Sequence, residues 1–130
     1  MALSLGAITT QVYEFLSAEL SPVPVLTAGH NQTFPYITLG NHTGGAGGDL
    51  LAEEARDYEI TAQAYSRQPS YLEVCTLLET VEAALNRRKF PLPGGVQWVD
   101  TIFDQVQVFD ELDGVTRRGL LRFRILTFKP

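Results

Sequence analysis

The strongest constraint on the fold lies near the C-terminal end of the sequence, where two long segments of alternating polarity flank a short turn. In residues 116–128 apolar side chains alternate with arginines for several positions, and a period of two is that of a β-strand. Residues 96–109 form the preceding arm, and residues 110–114 between the arms end in Asp-Gly, which supplies the positive φ that a tight turn needs. The pattern predicts a long β-hairpin, with a bulge near Asp104 where the alternation of the first arm breaks.

Two helices and two further strands are predicted before the hairpin. Apolar residues at helical spacing predict helices over residues 5–20 and about 70–88. Runs rich in β-branched and aromatic residues predict strands over residues 35–40 and 56–66, while residues 25–33 are predicted to form a loop. The order α-β-β-α-β-β predicts an α+β fold, in which an antiparallel, mostly four-stranded sheet has both helices packed on one face.

The length and composition predict one globular domain spanning residues 1–130. Hydrophobic residues make up 45% of the chain and charged residues 19%, which favours a folded chain over a disordered one. The N-terminus lacks the basic segment of a secretory signal, and no apolar run approaches the ~20 residues that span a bilayer. These observations predict a soluble intracellular protein with no membrane partner.

A glycine-rich segment separates the two predicted strands in the middle of the chain. Four of the five residues from position 44 to 48 are glycine, so residues 41–55 are predicted to form a flexible loop. A phosphate-binding loop is not supported, because acidic residues follow the glycines where a Lys-Ser/Thr pair would be needed. We expect the loop to become ordered during assembly through Gly44, Gly45, Gly47, Gly48 and Asp49.

Side chains that could carry chemistry do not form a recognisable site. Cys75 is the only cysteine, so no internal disulfide can form, and its place in the apolar pattern of the second helix predicts a core residue. His30 and His42 lie in predicted loops, and no cluster has the spacing of metal ligands. The sequence therefore predicts no catalytic, cofactor-binding or metal-binding residues and no enzymatic activity.

Three arginines of the last strand are predicted to project from one face of the sheet: Arg118, Arg122 and Arg124. Two interpretations stay open. The arginines pair with Asp104 or Asp110 across the hairpin on an ordinary solvated face, or they contact another subunit or lie close to DNA. Tyr65 and Phe128 are expected on the same face, where a partner subunit would cover their aromatic rings.

Several segments together suggest a family. They are residues 34–40 (Phe-Pro-Tyr-Ile-Thr-Leu-Gly), the strand at 58–66, the helix at 70–86, the turn at 110–114 and the strand end at 124–128. In their order and type, these segments resemble those of the tail-completion, or tail-terminator, proteins of long-tailed bacteriophages. The resemblance implies a structural virion protein without catalysis, which forms a ring, usually a hexamer, at the head-proximal end of the tail tube.

The resemblance also implies partners and a location. The ring would stop the addition of tube subunits, contact the major tail tube protein and the head–tail connector at the head–tail junction, and let DNA pass through its lumen. The net charge of −5 suits a wall that DNA passes without binding. Because a ring joins unlike surfaces, we expect acidic residues of one copy to meet arginines of the next. The predicted interface residues are Arg118, Arg122, Arg124, Glu53, Glu54, Asp57, Tyr65 and Phe128.

Three alternative functions stay open from the sequence. The protein could be another head–tail connector, such as a head-completion or stopper protein. It could be a small cellular ligand-binding or enzymatic α+β domain, which would need a pocket with convergent polar groups. It could also be a stand-alone oligomerisation module.

Overall fold

Two helices and five strands follow one another along the chain, and the computed structural model describes residues 5–27, 33–46 and 55–129. The elements are α1 (Leu5–Leu20), β1 (Val25–Leu26), β2 (Tyr36–Ala46), β3 (Ala55–Ser66), α2 (Leu72–Leu85), β4 (Gln97–Asp110) and β5 (Arg117–Phe128). The strands form one mixed sheet in the order β1-β2-β3-β5-β4. The predicted α+β class, both helices and the C-terminal hairpin are confirmed.

The sheet has five strands instead of the predicted four, because residues 25–26 form a short strand in a segment predicted to be a loop. β1 runs parallel to β2 with Val25 opposite Ile37, and the N–H of Ile37 donates to the carbonyl of Pro24 at 2.9 Å. Two residues carry no alternation that a sequence pattern could reveal, so only the proximity of β2 defines this strand. The other three strand pairings are antiparallel, as predicted.

β2 continues into the segment predicted to be a flexible loop. Residues 41–46 of the predicted loop at 41–55 belong to β2, and residues 43–46 pair with β3 after a register shift between Gly40 and Thr43, so both Gly44 and Gly45 lie in this ladder. The prediction was wrong for these residues because a ladder needs only backbone groups, and β3 is long enough to supply partners for them. The middle of the predicted loop, residues 47–54, lies outside the described residues, and with it Gly47, Gly48 and Asp49.

The side chain of Asp113 holds the turn between β4 and β5. One carboxylate oxygen accepts hydrogen bonds from the N–H groups of Val115 and Thr116, both at 2.8 Å, and the other accepts the Thr116 hydroxyl at 2.7 Å. These bonds lower the pKa of Asp113 to about 2, because they favour the ionised carboxylate. Gly114 has a φ of 71°, the positive value that the Asp-Gly pair predicts.

Two irregularities interrupt the pairing of β4 with β5. The predicted bulge near Asp104 is confirmed by a register shift between Phe103 and Gln105. A second shift, between Trp98 and Asp100, was not predicted. Each extra residue reverses the side-chain alternation that follows it, which is why the sequence of this arm shows no single apolar phase.

The core lies between the two helices and one face of the sheet. The helices contribute Ile8, Val12 and Leu16 from α1 and Val74, Leu78 and Val81 from α2, and β3 and β5 contribute Tyr58, Ile60, Leu121, Phe123 and Ile125. α2 approaches β5 closely at Gly119, where a Cβ atom would lie 2.5 Å from Leu78 Cδ1 and 2.9 Å from Val74 Cγ2. In the described parts of the chain, neither helix is long and apolar enough to cross a membrane.

α2 ends earlier than predicted because the segment after it binds β4. The N–H of Arg87 donates to the carbonyl of Thr101 at 2.6 Å, and the Thr101 hydroxyl donates to the carbonyl of Arg88 at 2.5 Å. The side-chain oxygen of Asn86 accepts the N–H of Phe103 at 3.1 Å. The backbone N–H of Arg87 and C=O of Arg88 are thereby satisfied by β4, and the helix does not continue through these residues.

Candidate assembly surface

The helix-free face of the sheet carries the three arginines predicted to form an interface, Arg118, Arg122 and Arg124. They alternate along β5 with the buried side chains of Leu121 and Phe123. β5 lies between β3 and β4, so residues of two neighbouring strands flank each arginine. This position decides which carboxylates the arginines can reach.

Arg124 pairs with Asp57 across the β3–β5 ladder of the same chain. The guanidinium donates a hydrogen bond to the Asp57 carboxylate, and this bond raises the pKa of Arg124. Asp57 is one of the residues predicted to meet an arginine of a neighbouring copy. A contact between copies through Asp57 would therefore have to exchange one arginine partner for another.

Arg122 and Arg118 also have carboxylate partners within the chain. Arg122 lies 3.7 Å from Asp104, the residue at the bulge of β4. Arg118 lies 2.8 Å from Glu111 in the turn, and its guanidinium stacks 4.2 Å from the centre of the Phe109 ring. The pairing of Arg122 agrees with the interpretation that these arginines bind across the hairpin.

Asp110, the other carboxylate predicted to pair across the hairpin, binds different partners. Its oxygens accept the Tyr71 hydroxyl at 2.9 and 3.0 Å, and Arg117 lies 3.9 Å away. The hydrogen bond to Asp110 raises the pKa of Tyr71, since loss of the phenolic proton would break it. The hairpin is therefore tied to the start of α2 at this end of the sheet.

The two aromatic residues expected on this face are both half-buried. Tyr65 stacks on Tyr36 of β2 with ring centres 4.7 Å apart, and its hydroxyl donates to Gln63 at 3.0 Å. The same amide oxygen of Gln63 accepts a hydrogen bond from Arg118 at 3.2 Å. Phe128 lies at the end of β5, opposite Ala55 of β3. The chain itself thus supplies a stacking partner for Tyr65.

Taken together, six of the eight predicted interface residues lie in the described strands, and Glu53 and Glu54 lie outside the described residues. The three arginines among the six form a basic column on β5, and each has a carboxylate partner within the chain: Asp57 on β3, Asp104 on β4 and Glu111 in the turn. Such pairs on an accessible surface contribute about 0–1 kcal/mol each, so little stability is lost when they are exchanged for pairs with another copy. Contact with a second copy stays a prediction for all eight.

An apolar groove on the other face was missed by the sequence analysis. It lies between α2 and β4, has a volume of about 430 Å³, and is called here the β4 groove. Its lining residues are Cys75, Leu78, Glu79, Glu82, Phe103, Val106, Val108 and Leu121. Phe103, Val106 and Val108 are 38%, 48% and 37% exposed, a large exposure for apolar side chains that share one side of a strand.

Cys75 lies in this groove and is half-buried, so the prediction of a core position holds only in part. The sequence contains one indication of the groove, the alternation of valine and glutamine at residues 105–108. That pattern predicts an apolar side of a strand, but it does not show that α2 leaves this side uncovered. Among residues 5–27, 33–46 and 55–129, no three His, Cys, Asp or Glu side chains lie together in a way that could hold a metal ion.

Comparisons with known proteins agree with this architecture. A family described as "Tail completion protein gp17" matches residues 16–127, from the last turn of α1 to the penultimate residue of β5. A chain in a solved structure described as "Virion of native gene transfer agent (GTA) particle" has the same fold, with a TM-score of 0.80 and 15% sequence identity over 98% of this chain and 99% of that chain. No curated protein matches in sequence. Because the family match covers well over half of the sequence, the chain belongs to the tail completion protein gp17 family and is a structural protein of the bacteriophage tail.

Proposed function

We propose that this protein forms a hexameric ring at the head-proximal end of the tail tube. There it ends the addition of tube subunits and presents the surface that joins the head connector, while DNA passes through the lumen. The observation that supports the proposal is the family match over residues 16–127, which includes all but the start of the fold. The partners in this role are further copies of the chain, the major tail tube protein and the connector.

The physical character of the molecule suits this role. A tail terminator works by shape, and the five-stranded sheet with two helices packed on one face gives a framework in which the inner strands β3 and β5 are hydrogen-bonded on both sides. The chain carries a net charge of −5, so an assembly of its copies is negatively charged overall and does not attract the phosphates of DNA. A rigid acidic body is suited to surround DNA that must move.

The arrangement of charges suggests how copies meet. A rotationally symmetric ring joins one surface to a different surface of the next copy. We propose that the arginine column of β5 faces the acidic stretch of a neighbour that includes Glu53, Glu54 and Asp57. In this arrangement Arg124 and its neighbours exchange their intrachain carboxylates for those of the next copy.

The interface is tested by charge reversal in the double variant Arg122→Glu/Arg124→Glu. We expect it to fold but to form no rings, because a ring would then bring like charges together. Arg87→Glu is the matched control, since it also breaks an ion pair of the chain, that of the exposed Arg87 with the half-buried Asp100 at 2.7 Å, but lies outside the proposed interface. Circular dichroism verifies folding, and electron microscopy of tails scores rings. Normal rings from the double variant would count against this interface.

The function itself is tested by electron microscopy of particles assembled without this protein. Loss of a tail terminator gives overlong tails without heads, because nothing stops the polymerising tube. Loss of a connector protein instead gives tails of normal length that fail to join heads. Normal virions in the absence of the protein would refute both roles. Supplying the wild-type chain in trans is the control that links the defect to this protein.

A further inference from the structure

β4 is the last strand of the sheet, and its outer edge consists of a covered half and an open half. In the covered half, the segment after α2 occupies the edge: Arg87 donates to the carbonyl of Thr101, and Asn86 accepts the N–H of Phe103. Beyond Phe103, no described residue pairs with the outer edge of β4. The outer edge of β4 beyond Phe103 is therefore open to pairing with another chain.

The ladder determines which backbone groups point outward in the open half. The N–H of Glu111 donates to the carbonyl of Thr116 at 2.9 Å, and hydrogen-bonded and non-hydrogen-bonded pairs alternate from this closing bond down the hairpin. Val108 and Val106 fall in non-hydrogen-bonded pairs. Their N–H and C=O groups therefore point away from β5, in the direction where an added strand would lie.

This open half lacks the features that usually keep edge strands from pairing with other chains. Such features are a lysine or another charge, a proline, or a bulge within the edge. Asp104 with its bulge and Asp110 stand at the two ends, but residues 105–109 contain no charge, no proline and no register shift. The edge is therefore regular and uncharged over the length of a short β-strand.

An added strand would also fill the β4 groove. Val106 and Val108 lie opposite Leu121 and Gly119, so their side chains point to the side of the sheet on which α2 lies. A strand paired with β4 lies about 4.8 Å further out and directs every second side chain to that same side. Those side chains would contact the exposed valines on one side and two of the acidic residues of α2, Glu79 and Glu82, on the other.

The charge at the rim indicates what the added strand carries. In the described parts of the chain, neither Glu79 nor Glu82 forms an ion pair. A lysine or arginine of an incoming segment would supply the missing opposite charge beside an apolar contact. A second copy of this chain is a less favourable occupant, because each copy adds a net charge of −5.

We propose that the open edge of β4 and the β4 groove bind an extended segment of another protein, which adds a strand to the sheet. The segment directs apolar side chains and one lysine or arginine to the same side, and its backbone pairs with Val106 and Val108. This is β-strand addition, in which the main chain supplies affinity and the groove supplies specificity. The proposal does not require that the protein form a ring.

The native cysteine allows a direct test without any substitution. Cys75 is the only cysteine of the chain and lines the groove, so its rate of alkylation by a maleimide reports whether the groove is covered. The probe is the synthetic peptide acetyl-Val-Thr-Val-Thr-Lys-Thr-amide, whose valines and lysine lie on one side when it is extended. At a peptide concentration of about ten times its Kd, alkylation should slow by about tenfold, because the uncovered fraction falls by that factor.

The matched control replaces the lysine of the peptide by glutamate, which should bind more weakly and protect Cys75 less. In the variant Glu79→Lys/Glu82→Lys, the preference should reverse in favour of the glutamate peptide. Hydrogen exchange at the amides of Val106 and Val108 should slow when the lysine peptide is bound. Equal protection by the two peptides, or none from the lysine peptide at millimolar concentration, would overturn the proposal.

Two further outcomes separate this proposal from its alternatives. If alkylation slows as the protein concentration rises without peptide, a second copy covers the groove and the proposal is wrong about the occupant. If the protein fails to control tail length but still binds the lysine peptide at β4, the tail-terminator function fails while this surface stands. The reverse result would leave the function intact and reject the surface.

Discussion

Replacement of Gly119 by alanine tests how closely α2 packs on the sheet. The new Cβ atom would lie 2.5 Å from Leu78 Cδ1 and 2.9 Å from Val74 Cγ2, distances at which the neighbouring atoms must move. Leu78 Cδ1 is the end of a flexible side chain that lines the β4 groove and can move aside, whereas Val74 is buried and β-branched with few alternative rotamers, so part of the strain remains. The glycine is therefore required here for space, since its φ is not in the positive range.

The size of the effect follows from two opposing contributions. Adding a methyl group to a well-packed core costs about 1–3 kcal/mol, while removing a glycine from the unfolded chain stabilises by about 0.4–1 kcal/mol. We expect Gly119→Ala to lower the free energy of unfolding by about 1–2 kcal/mol. For a chain of this length, with about 2.1 cal/mol/K of unfolding entropy per residue, this lowers Tm by about 4–7 °C.

The measurement is urea unfolding followed by the fluorescence of Trp98, the only tryptophan. The midpoint should fall while the slope m stays constant. Gly6→Ala is the control, because Gly6 lies in α1 and a Cβ atom added there would have no atom within 4 Å, so this change should not lower the midpoint. In a Leu78→Ala background the cost of Gly119→Ala should shrink. An equal cost in both backgrounds would refute the steric explanation.

Three other predictions concern single side chains. Thr101→Val should lower the free energy of unfolding by about 1–3 kcal/mol, because the buried Trp98 indole N–H would lose its acceptor, the Thr101 hydroxyl at 2.7 Å. Urea unfolding measures this loss, and an unchanged midpoint would contradict the prediction. The pKa of Asp113 is lowered to about 2, so its ionised form stabilises the fold above the unfolded-state pKa of about 4 and this contribution is lost as pH falls towards 2. Wild type should therefore exceed Asp113→Asn in stability at neutral pH and approach it in acid; a gap that is independent of pH would argue against a charge effect. The pKa of Tyr71 is raised by its hydrogen bond to Asp110. In an ultraviolet titration of the tyrosines, Tyr71→Phe should therefore remove one that ionises above the ordinary range. Asp110→Asn should lower the pKa of Tyr71 instead.

Local patterns were enough to predict the regular elements that carry most of the fold. Both helices follow from apolar residues at helical spacing, and the hairpin from alternation around an Asp-Gly turn. Even the bulge at Asp104 could be predicted, because an extra residue leaves a break in the alternation of the strand itself. The family could also be suggested from the order of these elements, since that order is a property of the sequence.

Features that depend on distant segments could not be predicted in the same way. The two residues of β1 become a strand only because β2 lies beside them, and Gly44 and Gly45 join the ladder because β3 supplies their backbone partners. For the same reason, the sequence could not predict which carboxylates the arginines bind. Arg124 binds Asp57, which is distant in sequence, because β5 lies next to β3.

The sequence by itself determined the types of the elements and their order, because helical and strand periodicities are recorded in neighbouring residues. Only the tertiary structure decided the order of strands in the sheet, which makes β4 an edge and leaves Val106 and Val108 exposed beside α2. The physical reason is that strand pairing uses backbone groups common to all residues. Which strands meet therefore depends on how the whole chain buries its apolar surface.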